Sequence, residues 1–252
     1  MIATITINNK IVRVDLGSAL DISIPLRAGV TNVNAFYIPP VKIEPFQVGS
    51  FIGAVSQGGS CNVNNIFFNP HGNGTHTECV GHISRETYTI NQCLKEFFFV
   101  AELITIAPET KGNDKVITKS QLEAALKSTK PDALILRTIP NEDEKINRQY
   151  SGTNPAYLEA AAAQYLASIG TRHLLLDVPS VDKEDDGGKL SAHHAFWNYP
   201  ENTRLDCTIT ELIFVPDTIA DGSYLLNIHI ASFENDASPS KPVLYRIKTN
   251  DQ

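Results

Sequence analysis

Residues 154–178 read NPAYLEAAAAQYLASIGTRHLLLDV, and this stretch sets the fold class. Asn154 supplies an N-cap and Pro155 a first helical residue. The spacing therefore predicts a helix running through AYLEAAAAQYLASIG to a terminating Gly170. Directly beyond it, His173 to Val178 reads as a buried strand, because a short continuous apolar run is what a strand covered on both faces requires. The same pairing precedes it. Thr118 to Lys127 predicts a helix, with Thr118 or Ser120 as N-cap and Leu122, Ala125 and Leu126 on one face, and Ala133 to Thr138 predicts another buried strand. Two main helices set between apolar strands predict an α/β layer with mixed sheets.

Working outward, strands outnumber helices. Residues 2–16 alternate as a hairpin around an Asn8-Asn9 turn, and Asp21 to Leu26 reads as a short strand. Residues 27–50, rich in Pro, Gly and Asn, read as a long loop over the site, and residues 51–70 as short strands around a Gly-Gly-Ser turn. Phe97 to Ile106, Ile209 to Val215 and Tyr224 to Ser232 are strand patterns. Asn235 to Pro242 reads as a polar loop, and Val243 to Ile247 as a last edge strand. No repeat or low-complexity linker divides the chain, so residues 1–252 read as one domain.

The formal charge of −7 argues against nucleic acid or an anionic membrane as partner, since both need clustered Lys and Arg. It does not argue against an anionic substrate, because a bound metal ion can dominate the local field. The first residues form no apolar signal segment, and no apolar run approaches the ~20 residues that span a bilayer. Cys61, Cys79, Cys93 and Cys207 are spread without a CxxC, which predicts reduced thiols in a cytoplasmic protein.

The chemistry concentrates in residues 71–82, HGNGTHTECVGH. His71, His76 and His82 offer neutral nitrogen lone pairs, Glu78 offers a carboxylate, and both donor types suit a divalent cation. On an extended chain His76, Glu78 and His82 are separated by even steps and face one side. Cys79 falls on the other side and reads as a packed thiol. A second cluster is Asp182, Asp185, Asp186, His193 and His194, in SVDKEDDGGKLSAHHAFW. If extended, only one of the adjacent histidines reaches a given site; on a helix both could face a cleft. Glu211 sits in an otherwise apolar strand, either paired with a metal or on the exposed face of an edge strand. His173 and His229 read as structural.

Together these residues resemble the metal-dependent cyclase family, which includes bacterial kynurenine formamidases and isatin hydrolases, and whose hallmark is His-x-Gly-Thr-His-x-Asp-x-Pro-x-His. Gly74-Thr75-His76 matches Gly-Thr-His, Glu78 takes the Asp position, and His82 matches the last His. DISIPLRAG at 21–29, the helix leading into LLLDVPSVD, HHAFW and TELIFVPDTI are similar to further family elements. The resemblance implies a swivelling β/β/α fold and one or two divalent ions, zinc or manganese. It places the ligands on His76, Glu78, His193 and Glu211, with His82 transferring protons. His71 precedes the ungapped motif position, which holds Gly72. Glu78 stands for Asp and Val80 for Pro, and WNYPENTRLDCT is inserted before Glu211. The resemblance further implies a homo-oligomer, dimer or tetramer, acting on a small molecule. The reaction expected is hydrolysis of an amide C–N bond, N-formyl or cyclic, by metal-bound hydroxide. The alternatives are cyclisation with loss of water, or a binding protein without turnover. Phe36 and Tyr37 are candidates to cover an aromatic substrate, with a core role as the alternative.

Overall fold

The computed structural model describes residues 1–7 and 10–248. The hairpin forms as Ile2–Ile7 (β1) and Lys10–Asp15 (β2), and its expected Asn8-Asn9 turn lies outside the described residues. The strands that follow are His76–Glu78 (β3), Phe98–Ile106 (β4), Ala133–Thr138 (β5), His173–Leu176 (β6), Thr208–Glu211 (β7), Gly222–Ile230 (β8) and Ala237–Lys248 (β9). The longer helices are Lys119–Leu126 (α1), Ala160–Ile169 (α2) and Ser191–Trp197 (α3).

Among the described residues, β9-β8-β4-β5-β6-β7-β3 pair in that order, and β3 pairs back onto β9 to close a mixed barrel. β4 through β7 run parallel, and the other junctions are antiparallel. The parallel strands are apolar on both faces because both are covered. Ala133, Ile135 and Leu175 point into the barrel with Phe99, Leu103 and Leu226. Leu134, Leu136, Leu174 and Leu176 pack outward against Leu122, Leu166 and Trp197 of the helices. No helix among the described residues is long and apolar enough to cross a membrane.

Helix α1 starts where expected, on a capping box in which the Thr118 side chain accepts from the Gln121 amide and Gln121 reaches back to Thr118. Helix α2 starts later than its Asn-Pro signal. Asn154 is left-handed (φ 50) and its side chain donates to Asn113 O and Asp114 Oδ1, while Tyr157 and Leu158 pair with Val116 and Ile117. Strand pairing thus takes the residues that a proline-led helix would have used, and α2 begins after Glu159. It ends as expected, on a left-handed Gly170 (φ 90).

Four further expectations are corrected. The 27–50 segment is not one loop: Lys42–Pro45 pairs with Asn64–Phe67, and Gln47–Val48 pairs with Phe51–Ile52. The Asp21–Leu26 strand shrinks to Leu20–Asp21 with an isolated bridge at Ser23. β7 stops at Glu211 because Leu212 turns left-handed (φ 54) and sends its N–H to Val178 O. The polar 235–242 tail is mostly strand: β9 spans 12 residues and bonds to β2, β3 and β8, so it is no edge. Pro239 and Pro242 conceal it in the sequence, since proline argues against an interior strand.

Candidate metal centre

The antiparallel register of β3 and β7 sets Glu211 opposite His76 and Ile209 opposite Glu78. His76 and Glu78, two residues apart, share a face of β3, and the Glu211 side chain joins them, with His76 Nε2 3.4 Å from Glu211 Oε2. Thr75 holds this corner: its hydroxyl donates to Leu212 O at 2.5 Å and accepts from Ile24 N–H at 2.8 Å. The strand ends at Glu78. The alternation expected to carry on to His82 does not occur; a 3-10 turn over Val80–His82, with His82 N–H bonded to Cys79 O, swings the ring back instead. His82 Nδ1 then lies 3.9 Å from Glu78 Oε2. Cys79 is buried among apolar side chains.

His193 enters from α3, and the helix resolves the choice between neighbouring histidines. His193 is buried with Nε2 3.2 Å from Glu78 Oε1 and 3.9 Å from Glu211 Oε1. His194 turns away, its Nδ1 3.2 Å from Tyr199 O. Asp182 holds His193 by its other nitrogen, Nδ1, at 2.6 Å, and also accepts the Ala192 and His193 amides. His71 sits on a one-turn helix, Pro70–Asn73, capped by Asn69, with Nδ1 3.1 Å from Glu78 Oε2. The neighbouring position could not carry the histidine: a Cβ at Gly72 would meet Ala35 O at 2.8 Å and run into the Ile38 side chain. His173 is buried between Thr208 and Phe99, and His229 is exposed on β8.

Asp236 was not anticipated. It immediately precedes β9, with Oδ2 2.8 Å from His71 Nε2 and 3.4 Å from His82 Nδ1. Its FENDASPS context carries no motif, and only the β3–β9 pairing delivers it.

The donors fit a divalent ion. His76 Nδ1 lies 3.0 Å from Gly74 O, so it carries the proton and Nε2 keeps its lone pair. That Nε2 and Glu78 Oε2 are both buried without a hydrogen-bond partner, although His71 Nδ1 stands 3.1 Å from the oxygen in poor alignment. Buried polar atoms are rarely orphaned, and two facing lone pairs, 3.9 Å apart with no proton between them, call for a cation. His71, His76 and Glu78 form one compact donor set; Glu78, His82 and His193 form another, with Glu78 common to both. The electrostatics agree. Burial raises the Glu78 carboxyl, but His82, His193 and His71 around it hold it well below the usual carboxylate range. Burial works against the His193 cation, yet Asp182, Glu78 and Glu211 push its pKa up to about 10. Burial likewise opposes the His71 cation, and Asp236 and Glu78 push it up to about 10. The cluster is built to hold positive charge.

The donors open onto a cavity of about 440 Å³, walled by Phe36, Ile38, Leu190, Lys183, His71 and His82 among others. Phe36 lines it. Tyr37 does not: it is 78% exposed and lies outside the lining. A cavity of about 550 Å³ between Pro108, Ile139, Tyr150 and Pro155 contains none of the donors.

Barrel and donor set together define a protein with a candidate divalent-metal centre beside an open cavity. The family model described as "Putative cyclase" matches residues 20–183. Kynurenine formamidase of Bacillus thuringiensis (strain Al Hakam) is 30% identical over 190 residues, 75% of this chain and 82% of that protein. The Bacillus anthracis kynurenine formamidase is 28% identical over the same shares. Among solved structures, a potential metal-dependent hydrolase with cyclase activity superposes with a TM-score of 0.66 at 16% identity, covering 90% of this chain and 97% of the other. Isatin hydrolase A from Labrenzia aggregata superposes with a TM-score of 0.67 at 11% identity, over 90% and 93%. The chain belongs to the cyclase family and is a hydrolytic enzyme of that family.

Proposed function

We propose that residues 1–252 form a single hydrolase domain that cleaves the C–N bond of a small amide, an N-formyl arylamine or a cyclic aryl amide, at one or two zinc or manganese ions. The observation that carries this reading is the pair of orphaned, buried atoms, His76 Nε2 and Glu78 Oε2, beside a cavity that His82 lines. His76, Glu78, His193 and Glu211 would hold the metal, with His71 completing the set. A divalent ion held there supplies Lewis acidity, which acidifies water and polarises a carbonyl.

The protein supplies the rest. His82 is partly exposed on the cavity wall and within reach of the donor cluster, so it can accept a proton from the attacking water. The C–N bond then breaks, the leaving nitrogen takes the proton that His82 carried, and the carbonyl carbon keeps the water oxygen as a carboxylic acid, whose remaining proton passes to solvent to leave the carboxylate. Phe36 and Ile38 offer an apolar wall to an aromatic ring. Phe36 sits at a left-handed φ of 58 and Tyr37 at 56, a turn closed by the Ile38 N–H to Ala35 O bond and anchored by the Tyr37 N–H to Ser151 Oγ. Such strain persists only where surrounding structure enforces it, and it accumulates at ligand sites. Exposed Val48, Ile66 and Phe67 on the 42–67 arm support a homo-oligomer, and the unpaired cysteines support a reducing, cytoplasmic setting.

The test is elemental analysis of the purified protein, followed by assay of the metal-loaded enzyme on N-formylkynurenine, isatin and simple aryl formamides. Stoichiometric metal with turnover on one of these is the expected result. Metal without turnover on any would favour the binding-protein alternative, and no metal at all would overturn the reading.

A further inference from the structure

His71 reaches the centre from one residue earlier than the resemblance places its first histidine, because Gly72 has no room for a side chain. A ring entering from a displaced backbone position needs something to fix its rotation. Asp236 lies where that is possible. Its Oδ2 is 2.8 Å from His71 Nε2, on the opposite edge of the ring from Nδ1, which faces Glu78 Oε2 at 3.1 Å. The carboxylate is itself well placed. Cys79 N–H donates to Asp236 O at 3.0 Å, and a Cβ at Gly81 would stand only 3.2 Å from the Asp236 Cβ. The absent side chain at 81 makes room chiefly for the Tyr88 carbonyl, with Asp236 packed beside it.

We propose that Asp236 is a positioning residue for the metal centre: it accepts the Nε2–H of His71, fixes that tautomer, and leaves the Nδ1 lone pair aimed at the space beside Glu78 and His76. This rests on the metal-site reading above. Histidines that bind metal commonly give their second ring N–H to a carboxylate, and Asp182 does the same for His193 from the other side of the centre. His71, His82 and Asp236 could also be read as a ligand set in their own right. The unsatisfied atoms decide against that. They are His76 Nε2 and Glu78 Oε2, at the deep end, whereas Asp236 Oδ2 is already paired with His71.

The experiment is a chelator-competition titration of the full-length apoprotein with Zn²⁺, on wild type, Asp236→Ala, Asp236→Asn, His71→Ala and the His71→Ala/Asp236→Ala double variant. Asp236→Ala should weaken Zn²⁺ binding about 10–100-fold at unchanged stoichiometry. Asp236→Asn, which keeps an acceptor oxygen, should recover most of it. In the His71→Ala background the loss of Asp236 should add nothing, since it acts through that ring. Nitrogen-15 NMR of the Zn²⁺-loaded wild type should show His71 protonated on Nε2, a readout that needs no variant to fold. Unchanged affinity in Asp236→Ala, additive losses in the double variant, loss of one whole Zn²⁺ equivalent, or an Nδ1–H tautomer of His71 would each overturn the inference. A wild type that takes up no Zn²⁺ or Mn²⁺ would instead overturn the metal-site reading beneath it.

Discussion

His76 and His82 come from the same short motif, yet their environments assign them different work. His76 is buried, gives its Nδ1 proton to Gly74 O, and keeps an unpartnered Nε2. His82 is partly exposed, and its Nδ1 is 3.9 Å from Glu78 and 3.4 Å from Asp236. His76→Ala and Glu78→Ala should therefore each strip most bound metal, measured by elemental analysis. His82→Ala should keep near-stoichiometric metal and lose about 10²–10⁴-fold in kcat, the usual contribution of a general acid–base group. Metal retained in full by both His76→Ala and Glu78→Ala would sink the assignment. Phe36 and Tyr37 separate in the same way. Phe36 lines the cavity and Tyr37 is exposed, so Phe36→Ala should raise KM for an aryl amide about tenfold, about 1.4 kcal/mol of binding, while Tyr37→Ala leaves KM unchanged.

Among the described residues, strand β6 carries the one buried histidine outside the centre. His173 pairs its Nδ1 with Thr208 Oγ1 of β7 at 2.9 Å and lies against the Phe99 ring, while its Nε2 is buried without a partner. Burial, helped by the Arg172 charge, pushes its pKa down from 6.5 to about 3. The folded state thus prefers the neutral ring. The stability this confers is present above pH 6.5 and is lost as pH falls from 6.5 towards 3. At pH 5 the loss should be about 2 kcal/mol, at 1.36 kcal/mol per unit. Urea unfolding of the metal-free protein at pH 7 and pH 5 checks it: His173→Gln should show a drop smaller than wild type by that amount. Equal drops would show that His173 does not carry the dependence. The turn at 71–74 gives a second expectation for an element. Gly72→Ala forces a Cβ against Ala35 O and the Ile38 side chain, and should cost about 1–3 kcal/mol and weaken metal binding with it.

Across the whole molecule, β3 is only three residues long, yet it joins β7 to β9 and closes the barrel. Two of its residues, His76 and Glu78, are proposed ligands, and a metal held by them would couple to barrel closure. Removing the ion should lower the thermal midpoint, since a ligand at 100 times its Kd stabilises the folded state by about 2.7 kcal/mol. Amide exchange should speed up most in residues 76–82 and 236–239. A chelated protein that melts and exchanges like the loaded one would refute the coupling.

The sequence by itself determined the elements whose signals are local: the N-cap at Thr118 or Ser120 that starts α1, the Gly170 that ends α2, the doubly buried apolar strands, and the motif that brings His76, Glu78 and His82 within a few residues of one another. Tertiary structure decided whatever depends on a neighbour. Strand pairing took Tyr157 and Leu158 from α2, and the barrel made a central strand of a proline-containing tail. The β3–β7 register placed Glu211 opposite His76 more than a hundred residues away, and α3 chose His193 over His194. Asp236 stands at the centre for the same reason. Its role follows from which backbone runs beside Cys79, and no local pattern encodes which distant strand will pair there.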